Sequence, residues 1–342
     1  MKAHYKVPGR SFASAQAVAF VVAAATAVAT MAMTAPAAAA NDASDYPSRP
    51  ITLVVPFATG NIADNQGRLI AREISAAFGQ PVVVANRPGA SGTIGTEYVA
   101  RSEPDGYTIL YGTHGTQAAN LALQPTMKFD PARDLRAVHS LFRQSTVLVA
   151  SAAGELMSVS SLVDQARKRP GDITFASSGA GTQTHLAAAR FQKATGTELN
   201  HVPYSSKSSM IDLLAGTVDI MFSYAETVVP QIEAGKLRAL AVNGSARLAI
   251  LPEVPTIAEA GYPDAALEGW SGIFVPAGTP DAIVAKLAAT IAKATEDPQI
   301  LEAMAKIGSH PMGLSDQAFQ SFAESEVSRW REIVGGVEGG SR

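Results

Sequence analysis

Four loops hold the residues best suited to chemistry. They are Pro56-Phe57-Ala58-Thr59-Gly60-Asn61, Pro88-Gly89-Ala90-Ser91-Gly92, Ser177-Ser178-Gly179-Ala180-Gly181-Thr182 and Tyr204-Ser205-Ser206-Lys207-Ser208. Each follows a short apolar run and opens an amphipathic one. A helix start has unpaired N–H groups and the positive end of the helix dipole, so it receives anions. Glycine lets the backbone approach closely, and hydroxyls add donors. Any one of these loops also reads as an ordinary N-cap. Four together, rich in neutral donors, suit a carboxylate. The nearest cations, Arg87 and Lys207, read equally well as solvated side chains.

Other chemistries find less support. Gly89, Gly92 and Gly95 have the spacing G-x-x-G-x-x-G, not the G-x-G-x-x-G of a dinucleotide loop. Ser91 in Gly-Ala-Ser-Gly is not a nucleophile elbow. His114 and His185 lie near the loops without an evident acid and nucleophile, and there is no H-E-x-x-H. The chain has no cysteine, which removes disulfides, thiolate metal sites and a cysteine nucleophile. No metal, no cofactor and no catalytic residue are therefore expected. His114 reads as a hydrogen-bonding residue of the cleft. Asp64, one turn into the first helix, reads as a first-turn acid or as a polar contact at the cleft mouth. Phe57, Tyr204, Tyr224 and Trp270 are the aromatics near loops; each also reads as core, and Phe57 and Trp270 are the expected cleft walls.

The elements that position these loops alternate. Strands are expected at residues 51–55, 82–85 and 107–111, with helices at 61–78 and 94–101 between them. The pattern restarts with strands at 147–150, 173–176, 199–202, 218–222 and 237–242, separated by helices at 159–168, 182–195, 206–215 and 226–234. A strand at 270–275 and three helices, 281–296, 298–307 and 315–334, close the chain. Such an order predicts α/β lobes with parallel sheets covered on both faces. The expected division is a first lobe of residues 41–143 and 268–342 and a second of 144–267. Two crossings, near residues 140–147 and 265–276, join them.

Residues 1–40 stand apart. Lys2, Lys6 and Arg10 precede a stretch without charge, residues 11–40, that ends on four alanines. This is the pattern of a secretory signal cleaved near Ala40; a retained anchor is the alternative. Without a cysteine there is no site for lipid attachment, so a free periplasmic protein is expected. Beyond residue 40 the chain has 24 Lys and Arg against 30 Asp and Glu, a net charge of −6, with no basic run. Nucleic acid is thus not an expected partner.

Tyr46-Pro47-Ser48-Arg49-Pro50-Ile51, Val55-Pro56-Phe57, Gly79-Gln80-Pro81-Val82, Asn86-Arg87-Pro88-Gly89-Ala90 and Pro104-Asp105-Gly106-Tyr107-Thr108 form an ordered set of motifs. His201-Val202-Pro203-Tyr204, Asp212-Leu213-Leu214-Ala215-Gly216, Ala234-Gly235-Lys236-Leu237, Leu251-Pro252-Glu253-Val254-Pro255 and Pro276-Ala277-Gly278-Thr279-Pro280 continue it. Together they resemble the solute receptors of tripartite tricarboxylate transporters, the Bug proteins. The resemblance implies a type II periplasmic-binding fold, two lobes closing on a ligand cleft. It implies carboxylic acids held by backbone N–H groups, hydroxyls and water. It carries ligand-binding roles to Phe57, Thr59, Asn61, Asp64, Ala90, Ser91, Ser178, Gly181 and Thr182, and His114, Tyr204 and Trp270 complete the expected site. The implied partners are a small mono- or dicarboxylate, aromatic acids included, and membrane transporter subunits, with the receptor a monomer. An exported hydrolase or lyase on the same fold, or a sensor without transport, are the alternatives. The chain departs from the family at Thr59-Gly60-Asn61-Ile62, Ser91, Ser205-Ser206 and Ser223, all at the expected pocket. Those departures leave the particular acid open.

Overall fold

The computed structural model describes residues 1–4, 45–123, 127–179, 182–204 and 208–335. The expected export segment lies outside them apart from its first four residues. Among the described residues no helix is long and apolar enough to cross a membrane.

The order of elements is β1 (Ile51–Val55), α1 (Ile62–Phe78), β2 (Val82–Asn86), α2 (Thr93–Ala100), β3 (Thr108–Thr113), a π turn (Gly115–Ala119), α3 (Asn120–Leu123), α4 (Pro131–Asp134) and β4 (Leu135–Gln144). Then come β5 (Thr146–Ser151), α5 (Val159–Lys168), β6 (Thr174–Ser177), α6 (Gln183–Thr195), β7 (Asn200–Pro203), α7 (Ser208–Ala215), β8 (Ile220–Tyr224), α8 (Ala225–Glu233) and β9 (Leu237–Asn243). The chain ends with β10 (Gly269–Pro276), α9 (Asp281–Thr295), α10 (Pro298–Ala305), β11 (Ser309–Pro311) and α11 (Asp316–Gly335).

Local chemistry sets most boundaries. Asn61 caps α1 by accepting the Asp64 N–H, and Gly79 ends it in the left-handed conformation, donating to Ser75 O. The face of α1 bearing Ile70 and Ile74 is fully buried, roughly 2 kcal/mol of transfer free energy for each side chain. Ser158 and Ser161 form a reciprocal capping box on α5. Asp297 caps α10 with Pro298 at its first position.

Two sheets result, ordered β11-β4-β10-β3-β1-β2 and β7-β6-β8-β5-β9. The chain leaves the first sheet at Ser145 and returns between β9 and β10. Neither sheet is purely parallel, which corrects the expectation. In the first, β1 pairs in parallel with β2 and β3, while β10 runs antiparallel to β3 and β4. In the second, β6 is parallel to β7 and β8, but β5 is antiparallel to β8 and β9. In the first sheet the reversed strands are β10 and β11, formed after the chain returns; in the second the reversed strand is β5, on which the chain arrives. The C-terminal region also adds β11 where only helices were expected.

One face of the second sheet packs Leu148, Phe175 and Phe222 under α5 and α6; the other packs Val149, Met221 and Val242 under α7 and α8. The last helix joins two cores. Phe319 and Ala323 pack with Trp270 and Phe274 of the first sheet, whereas Val327 and Trp330 pack with Leu186 and Ala187 of α6.

Candidate functional site

The first two expected loops are fastened to each other. Asp64 is 1% exposed, and both its oxygens are engaged. Oδ2 accepts the Gly60 N–H at 2.8 Å and Arg68 Nε at 3.1 Å. Oδ1 accepts Asn86 Nδ2 at 2.9 Å and pairs with Arg68 at 3.0 Å. Burial pushes the Asp64 carboxyl up, but the bonds from Arg68, Gly60 and Asn86 outweigh it, and its pKa lies below the usual carboxylate range. Asn86 Nδ2 also donates to Phe57 O at 3.1 Å. Asp64 is an acid of the first turn of α1, and its carboxylate holds the loop from inside.

Two glycines let these segments touch. A Cβ on Gly95 would fall 2.7 Å from Arg87 O and 2.9 Å from Pro56. A Cβ on Gly92 would fall 2.6 Å from Thr116 Cγ2 and 3.3 Å from the Phe57 ring. The π turn therefore joins the same cluster. Asn120, 1% exposed, donates through Nδ2 to Ser91 O at 3.0 Å. Ala90 and Ser91 have φ of 46° and 54°, left-handed values unusual for residues with a Cβ. Both are exposed, as is Thr59; Phe57 and Asn61 are half-buried. Arg87 turns away, its guanidinium 3.7 Å above the Tyr98 ring.

The third loop belongs to the second sheet. Ser178 is exposed and its N–H donates to Thr184 Oγ1 at 2.9 Å. Thr182 Oγ1 donates to Gly179 O at 2.7 Å and makes no side-chain cap bond to α6. Gly181 lies outside the described residues, as do Ser205, Ser206 and Lys207 of the fourth loop. Beneath the third loop, Ser177 Oγ and His201 Nε2 are 2.6 Å apart, and His201 stacks with His185 at 4.3 Å and Phe175 at 4.7 Å. Burial, then repulsion from His201, depresses His185 to about 4; burial lowers His201 too. Tyr204 is half-buried and its hydroxyl donates to Asp212 at 2.7 Å.

His114 sits where the two sheets meet. It is 7% exposed, and burial depresses it to about 4, so it is neutral at pH 7. Its Nδ1 accepts the Trp270 N–H at 3.4 Å, which leaves the ring proton on Nε2. The ring stacks on Trp330 at 5.4 Å. A Cβ on Gly269 would fall 3.0 Å from His114 and 3.2 Å from Gln183 Cδ, so both side chains close on β10 at this glycine.

Trp270 is a correction. It is 1% exposed, packs edge-on against Phe319 and Phe322, and donates through Nε1 to Glu326 at 3.1 Å. The side chain is core and only its N–H reaches His114. Its ring faces α11. Asn86, Thr116, Asn120 and Gln183 were not singled out from the sequence. Asn86 had a signal, its place in Asn86-Arg87-Pro88; the others are ordinary polar residues until the fold brings them together. Among the described residues no cluster of three metal-ligating side chains occurs.

Comparison with known proteins shows the family and the fold. Residues 67–338 match the model of the tripartite tricarboxylate transporter family receptor. The chain is 37% identical over 303 residues to the protein BugT of Bordetella pertussis, covering 88% of this chain and 93% of that one. Two solved structures from Rhodopseudomonas palustris superpose closely. One is Rpa4515 with adipate: 36% identity, TM-score 0.77, 85% of this chain and 98% of that chain. The other is MatC with bound malate: 30% identity, TM-score 0.74, 84% of this chain and 100% of that chain. The architecture is the two-lobed α/β fold of periplasmic binding proteins.

Proposed function

The chain belongs to the tripartite tricarboxylate transporter receptor family, and from that premise we propose that it captures a small organic carboxylate outside the cytoplasmic membrane and delivers it to membrane transporter subunits. The carboxylate is a mono- or dicarboxylic acid, aromatic acids included, taken between lobes of residues 41–143 with 268–342 and 144–267. The receptor works as a monomer, exported by the signal in residues 1–40.

One observation carries this reading. The side chains that shape the loops after β1 and β2, Asp64, Asn86 and Asn120, spend their polar atoms inside the protein. In this reading the ligand is held by main-chain N–H and hydroxyl groups around Phe57, Thr59, Asn61, Ala90 and Ser91, of which Thr59, Ala90 and Ser91 are exposed. Ser178, Gly181 and Thr182 contribute, in the same reading, from the second lobe, together with His114 and Tyr204. Neutral donors on a helix start suit a carboxylate. The relatives crystallised with adipate and malate support the same class.

The test is thermal unfolding of the protein without residues 1–40 against a panel of aliphatic and aromatic mono- and dicarboxylates. An acid at 100 times its Kd should stabilise by about 2.7 kcal/mol. No shift with any acid overturns the reading, and chemical conversion of a bound acid would replace a receptor with an enzyme.

A further inference from the structure

Four buried side-chain polar atoms have no hydrogen-bond partner among the described residues: Thr146 Oγ1, Gln183 Oε1, Asn243 Nδ2 and Trp330 Nε1. Buried polar atoms are nearly always paired, so each such exception calls for a physical reason. The first three converge. Thr146 and Asn243 are directly opposed on β5 and β9, which places their side chains on one face about 5 Å apart. Gln183 and Asn243 grip the same residue: Gln183 Nε2 donates to Leu267 O at 3.3 Å, and Asn243 Oδ1 accepts the Leu267 N–H at 3.1 Å. Those two bonds settle which end of each amide is which. The free ends are an oxygen on Gln183 and a nitrogen on Asn243. All three residues are at most 3% exposed. Gln183 is also the first residue of α6, whose N-cap Thr182 makes no side-chain cap bond. The fourth atom lies one ring away, on the Trp330 that stacks on His114.

We propose that Thr146, Gln183 and Asn243 form a subsite for the hydroxyl of a hydroxylated carboxylic acid, a specificity that rests on the carboxylate-receptor reading above. The three free atoms are one acceptor, one donor and one hydroxyl that does either. A hydroxyl matches them: it donates to Gln183 Oε1 and accepts from Asn243 Nδ2 and Thr146 Oγ1. A second carboxylate accepts only and would face the Gln183 oxygen unpaired. An ammonium donates only and would face the Asn243 nitrogen. No charged side chain bonds to any of the three among the described residues, so an ionic group buried there would lack a counter-ion. The three atoms are sealed from solvent, so the hydroxyl enters when the lobes part and is enclosed as they close.

The experiment is calorimetric titration with matched acids: succinate and malate, butyrate and 3-hydroxybutyrate, phenylacetate and mandelate. In at least one pair the hydroxylated acid should bind tenfold or more tightly. Gln183→Met, Asn243→Leu and the near-isosteric Thr146→Val should each bring that ratio to within twofold. The ratio is the readout, so a variant of lowered stability is still informative, and Thr146→Val serves if a larger change prevents folding. Binding of plain acids with no preference in any pair overturns this subsite and leaves the receptor reading standing. A preference surviving all three substitutions overturns it too, as does a crystal structure of the complex with a water on the trio and the hydroxyl elsewhere. Absence of binding by every acid overturns the receptor reading and this subsite with it.

Discussion

At the loops of the first lobe, the Asp64 carboxylate receives Gly60, Asn86 and Arg68 and has nothing left to give. At the floor where the chain crosses between sheets, Thr146, Gln183 and Asn243 each keep one polar atom unpaired. Both regions are buried, and the proposed function draws on both. The contrast separates two tasks. A saturated network holds main-chain donors in place, and its side chains are scaffolding. An unsaturated one carries an unmet demand that a ligand group of matching chemistry can satisfy, at no cost in displaced internal bonds.

Acid should break the contrast most sharply. An unfolded histidine titrates near 6.5, while His114 and His185 stay neutral in the fold down to about 4. Between those values the unfolded chain binds the extra protons. Stability is therefore full above pH 6.5 and falls as pH drops toward 4, by about 3 kcal/mol for each histidine. Asp64, held below its usual range, stays ionised through that window, so the loss comes from the histidines and not from the Asp64 network. Urea unfolding at pH 7, 6, 5 and 4 checks this; a flat midpoint would refute it.

Next in size is Asp64→Ala. It leaves the Gly60 N–H and the Asn86 amide without their acceptor, a loss of about 2 kcal/mol, and it should weaken acids of every kind equally. A change confined to hydroxylated acids would mean that the two regions had been assigned to the wrong tasks. Smallest is Ser91→Gly. Removing the Cβ from a left-handed residue should stabilise by about 0.5 kcal/mol. A loss of melting temperature would show that the Ser91 side chain contributes more than its backbone conformation costs.

Legibility followed the range of the physics. The helix at residues 61–78 was readable because Asn61, Asp64 and Gly79 act within one turn of its ends. β4 was not readable. Its burial is nearly continuous, and register shifts interrupt its pairing with β10, so period-two alternation is absent. β11 is three residues that become a strand by pairing with β4. Trp270 was misassigned because its position beside a crossing was legible, but the side to which its ring turns depends on α11, some fifty residues later.

The sequence by itself determined the export pattern, the α/β class, the donor-rich helix starts and, through its motifs, the family. Each is local: a cap, a periodicity, a run of residue types. Only the tertiary structure decided that Asp64 faces inward, that Trp270 is core, and that Gln183 and Asn243 both bond Leu267 with Thr146 opposite Asn243. Those residues are far apart along the chain. Unmet hydrogen bonds are a property of an enclosed volume, and a volume exists only once the two crossings have closed it.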